Sequence, residues 1–79
     1  MKEAEKEAMA FNKIKNNQKG TMGWIDGVKS MVHILQARVR RIENKWERDG
    51  DITDNLKGEL ESCEAGILQY QNELKNSWL

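Results

Sequence analysis

Seven large apolar residues mark the middle of the chain: Ile25, Val28, Val32, Leu35, Val39, Ile42 and Trp46, at spacings of 3, 4, 3, 4, 3 and 4. That is an unbroken heptad seam, the signature of a helix burying one narrow stripe, and it shows none of the alternation a strand needs. A second seam runs through Leu56, Leu60, Cys63, Ile67, Tyr70 and Leu74 at spacings of 4, 3, 4, 3 and 4. The periodicity predicts helices over about 22–48 and 52–78. The few residues between them force the two helices antiparallel, because a short connection cannot reach the far end of the first. With the turn at Gly50 and Asp51, partners sum to 102, giving Trp46 with Leu56, Ile42 with Leu60, and Val39 with Cys63. Leu35 then meets Ile67, Val32 meets Tyr70, and Val28 meets Leu74. Each layer joins two apolar residues, and the same register sets Glu43 opposite Lys57.

A third, weaker helix is expected over about 2–18, where Ala, Lys and Glu give good propensity up to Ala10 before Asn12, Asn16 and Asn17 reduce it. Ala4, Ala8 and Phe11 share one face, with Met9 and Ile14 off it. A helix this short needs tertiary support in water. Gly20 suits a left-handed position after the first helix and Thr21 suits the cap of the second. Gly50 suits the end of the second helix, and Asp51 with Asp54 reads as a capping pair for the third. The expected fold is all-α in a single domain over residues 1–79: an antiparallel coiled-coil hairpin with a shorter N-terminal helix.

Composition narrows this further. A chain of 79 residues carries a thin core, burying about 60% of the surface its unfolded form exposes. Charged residues make up 33%, there is no proline, and 13 basic residues balance 13 acidic ones. No apolar run approaches the length of about 18 residues that a membrane span needs. The opening Met-Lys-Glu-Ala-Glu-Lys-Glu has no apolar run behind it, so no secretory signal is expected. The lone Cys63 cannot form an internal disulfide, which makes a reducing, cytoplasmic setting the default. Cys63 and the lone His33 fall short of a zinc ligand set, and no phosphate-cradling glycine loop is present. No catalytic residues, metal or cofactor are expected. Cys63 falls in the seam as an inert buried thiol, and His33 falls on the exposed side of the second helix.

Two features remain. Trp24, Met31 and Ile34 widen the apolar face of the middle helix on one flank, and Gly66 on the third helix lets another helix approach there. The first helix would cover part of this flank; contiguous apolar surface beyond it marks an interface. The expected partner is another protein or a second copy of the chain, most simply in a two-fold homodimer. The second feature is the basic stretch of Arg38, Arg40, Arg41, Lys45 and Arg48, net +3 once Glu43 and Glu47 are counted. It is the alternative contact, to nucleic acid, although residues 49–79 carry a net charge of −5 that would oppose it. The function expected is non-enzymatic protein–protein binding, as an adaptor, inhibitor, co-chaperone or assembly component of the kind that phage and mobile elements encode. The alternative is a nucleic-acid-associated accessory protein.

Overall fold

A computed structural model describes residues 3–77, with side-chain surroundings defined from Ala4 to Asn76. The described residues form three α-helices: α1 (Glu3–Asn16), α2 (Met22–Asp49) and α3 (Asp54–Ser77). The all-α fold follows from the two heptad seams. Residue 2, Trp78 and Leu79, at the margins of the expected helices, lie outside the described residues.

The two breaks are built from local chemistry. Gly20 takes a φ of 92°, and Thr21 caps α2 by accepting the Trp24 backbone N–H at 3.3 Å. The Thr21 hydroxyl also donates to the Gln18 carbonyl at 2.8 Å, tying the linker to the helix it starts. Gly50 ends α2 at φ 77°, its N–H donating to the Trp46 carbonyl at 2.8 Å. Both are backbone conformations in which a side chain would be strained.

The start of α3 departs from expectation. Asp51 is not its cap; Asp51 accepts the Ile52 N–H at 2.8 Å, and Thr53 accepts the Leu56 N–H at 3.3 Å. Moving the cap two residues on lets Ile52 turn inward, where it is buried with Ile42 and Leu60. An extended residue ahead of the cap gives Ile52 that freedom.

α2 and α3 pack on each other along residues of the two expected seams. Val28, Val32, Tyr70 and Leu74 gather at the far end; Leu35, Cys63, Ile67 and Val39 gather in the middle; Ile42, Leu60 and Leu56 gather by the turn. Val28 has no exposed surface at all. The layer at the turn opens. Trp46 is 39% exposed, because Ile52 fills the end of the core in its place. Lys57 sets its ammonium 5.8 Å from the Trp46 ring centroid, in place of the expected ion pair with Glu43.

α2 is the central element. Among the described residues, α1 packs on α2 and α2 on α3, while the backbones of α1 and α3 stay apart. The molecule measures 43 × 29 × 16 Å. Ala10 of α1 and Cys63 of α3 share one buried cluster with Met31, Ile34 and Leu35 of α2, so α1 and α3 sit on neighbouring faces of the central helix.

Candidate functional site

The flank expected to meet a partner is core. Trp24, Met31 and Ile34 are only 5%, 5% and 7% exposed. α1 lies over them, antiparallel to α2: Glu7 pairs with Arg38 at one end and Lys13 with Asp26 at the other. The exposure on which the partner-site expectation rested is therefore absent at these three residues.

α1 does not dock through the expected Ala4, Ala8 and Phe11, all of which are exposed. It docks through Glu7, Ala10 and Ile14, at spacings of 3 and 4, with Asn17 just past its end set against Gly23. The reason lies on α2. A Cβ added at Gly27 would come within 2.8 Å of the Lys13 Cβ and 3.0 Å of the Ala10 carbonyl oxygen. One at Gly23 would meet the Asn17 side-chain oxygen at 2.6 Å. The two helices approach so closely that only small groups fit between them, which selects Ala10 and rejects Phe11.

Gly66 serves a different purpose from the one expected. A Cβ there would meet the Leu35 Cδ1 at 3.2 Å, so the missing side chain makes room for Leu35 of α2. The signal for the true approach was the pair Gly23 and Gly27, one helical turn apart near the start of α2.

A polar junction spans the three helices where α1 begins. Arg38 of α2 donates from both terminal nitrogens to the two Glu7 carboxylate oxygens of α1. Beside it Cys63 of α3 is buried. Burial pushes the Cys63 thiol up, with the Arg38 guanidinium pulling back in part. A thiol held in that direction stays protonated and unreactive at neutral pH.

The docking of α1 creates a cleft of about 400 Å³ between α1 and α2. Met9, Ala10 and Ile34 form its apolar lining, and Lys6, Lys13, Lys29 and His33 stand around them. Met9 is 54% exposed, a large apolar side chain held at the surface. Lys13 reaches Asp26 at 2.9 Å, and that ion pair holds the Asp26 carboxyl below the usual aspartate range. This cleft was not legible from residue order, because Met9 and His33 come to line one site only once α1 is seated.

The basic stretch divides. Arg38, Arg41 and Lys45 line a second cleft of about 350 Å³ with Ile42, Leu56 and Glu59. Arg48 follows them at the helical spacing and bonds its neighbour Asp49 at 3.3 Å, whereas Arg40 falls on another face of α2. α1 is half the length of α2, 14 residues against 28, and leaves this end of α2 uncovered.

No helix among the described residues is long and apolar enough to cross a membrane. Among the same residues, no group of three or more His, Cys, Asp or Glu side chains stands close enough to hold a metal ion. No protein-family model, curated protein or solved structure matches the chain.

Proposed function

We propose that the chain is a non-enzymatic binding module that acts by holding another protein in the α1–α2 cleft. The observation that carries this reading is the chemistry of the cleft: an apolar lining of Met9, Ala10 and Ile34 inside a rim of three lysines and a histidine. Such a site suits an amphipathic segment with a large apolar side chain flanked by carboxylates. The apolar group would gain from leaving water, and the carboxylates from lysines whose stems already lie along the helices. Adaptor, inhibitor, co-chaperone and assembly roles all use contacts of this kind.

The test is affinity capture with amine-reactive cross-linking, comparing the wild-type chain with Met9→Glu. Met9 is more than half exposed, so the variant keeps its helix content. The expected result is a protein captured and cross-linked through Lys6 or Lys29 by the wild type and lost by the variant. Identical capture by both chains would overturn the reading.

A second reading rests on the other cleft. Arg38, Arg41, Lys45 and Arg48 recur at spacings of 3, 4 and 3 on the uncovered end of α2, as a phosphate-contacting stripe would. Arg38 and Arg48 already hold Glu7 and Asp49, and Glu59 stands in the cleft, which favours the first reading. Retardation of a labelled DNA or RNA fragment that fades with salt and with Lys45→Ala would favour the second.

A further inference from the structure

The chain is neutral only in sum. Residues 1–48 hold eleven basic and six acidic side chains, net +5, and residues 49–79 hold seven acidic and two basic, net −5. The positive half is α1 and α2 and the negative half is largely α3, which packs on α2 through its apolar side.

The outer face of α3 has the chemistry that the cleft would accept. Leu68 is 62% exposed, and Glu64 and Glu61 stand one and two turns before it on the same side of the helix. Ala65, between them and also exposed, leaves room for close approach. Cys63, Ile67 and Tyr70 face α2 and lie about 100–160° around α3 from Leu68. A large apolar side chain with two carboxylates nearby thus faces outward, and the α1–α2 cleft offers an apolar lining with three lysines.

We infer that the cleft takes the outer face of α3 from a second copy of this chain, Leu68 entering over Met9 and Ile34 while Glu61 and Glu64 meet Lys6 and Lys29. The inference rests on the reading of the cleft as a protein-binding site. It also decides the symmetry. On α2, Lys29, Ser30, His33 and Ile34 of the cleft lie about 100–160° around the helix from Val28, which faces α3. Leu68 is exposed on the outer side of α3. A closed two-fold pair cannot engage two patches that look away from each other, so each contact leaves a free cleft at one end and a free acidic face at the other. Copies therefore join head to tail and continue past the dimer. This departs from the two-fold homodimer expected from the sequence.

Sedimentation velocity on the full chain at low salt tests it, with three variants at exposed positions: Lys29→Glu, Glu64→Lys and the two combined in one chain. The wild type should gain mass with concentration beyond twice 9.2 kDa and lose it at high salt, where exposed charge pairs are screened. Each single variant should weaken association about tenfold, which corresponds to about 1.4 kcal/mol. The double variant should recover it, because the reversed cleft meets a reversed α3. Circular dichroism confirms that all four chains keep their helix content. A wild type that stays at 9.2 kDa overturns the second-copy assignment and leaves the cleft to the capture experiment. A mass that stops at the dimer, or association that ignores both single variants, overturns the head-to-tail contact.

Discussion

The two interfaces of α2 work on different principles. On the α3 side, bulky aliphatic and aromatic residues stack in layers, with Val28, Leu35, Ile42, Leu60 and Cys63 all buried. On the α1 side, the approach runs over Gly23 and Gly27, and α1 contributes one buried apolar residue, Ala10, with Ile14 half-buried. Its two larger apolar side chains, Met9 and Phe11, remain mostly exposed. The first interface draws its stability from area removed from water. The second depends on close backbone approach and on ion pairs at its two ends, Glu7 with Arg38 and Lys13 with Asp26. A helix can therefore cover a tryptophan, a methionine and an isoleucine while bringing little apolar surface of its own.

The largest effect should come from breaking the layered side. Leu35 is buried between Cys63 and Ile67, and its Cδ1 fills the space over Gly66. Leu35→Ala should lower unfolding stability by about 2–5 kcal/mol, read from urea denaturation. A loss below about 1 kcal/mol would mean that the hairpin seam carries less of the core than its packing shows.

Two glycine substitutions sharpen the contrast on the other side. Gly27→Ala forces a Cβ against Lys13 and the Ala10 carbonyl, so α1 must move away. The overpacking costs about 1–3 kcal/mol, offset by a gain of about 1 kcal/mol in helix propensity. The net should be a loss of about 1 kcal/mol together with faster amide exchange in α1. Gly58 on α3 has open space around its missing Cβ, so Gly58→Ala should instead stabilise by about 0.5–1 kcal/mol. Equal effects at both positions would deny that α1 is seated by close approach.

The smallest effect is electrostatic. The Lys13 ammonium holds the Asp26 carboxyl below its usual range. A carboxylate with a depressed folded-state pKa adds stability above its unfolded-state value, and that stability is lost as pH falls through the folded value. The Asp26 contribution is thus complete at neutral pH and disappears below about pH 4. An NMR titration should place the Asp26 carboxyl below ordinary aspartates, and Lys13→Met should return it to their range. Because both side chains are well exposed, raised salt should shrink the difference.

These interfaces differed as much in legibility as in physics. The α2–α3 packing was legible from Val28 and Leu74 at one end to Ile42 and Leu60 at the other, because two heptad seams joined by a short turn favour an antiparallel alignment, while the layer expected at Trp46 opens. The caps at Thr21 and Gly50 were equally local. Ile52 was not legible, since its burial depends on Thr53 taking over the cap two residues late. The docking face of α1 was misread because hydrophobic content pointed to Phe11, whereas the glycines of another helix decide which side of α1 fits. Gly66 was given a role that belongs to Gly27, because nothing in the sequence shows that Leu35 already fills the space over Gly66.

Residue order alone set what depends on neighbours along the chain: three helices, the caps at Thr21 and Gly50, and the seams that bring two of them together. Periodicity and capping act over one or two turns, and those ranges can be read from residue order. Tertiary structure alone decided that Trp24, Met31 and Ile34 are core, that Arg38 joins Glu7 beside a buried Cys63, and that Met9 and Ile34 share a lysine-rimmed cleft. Each of these depends on where α1 comes to rest on α2. That position is set by the absence of side chains at Gly23 and Gly27, and a missing atom leaves no hydrophobic pattern to read.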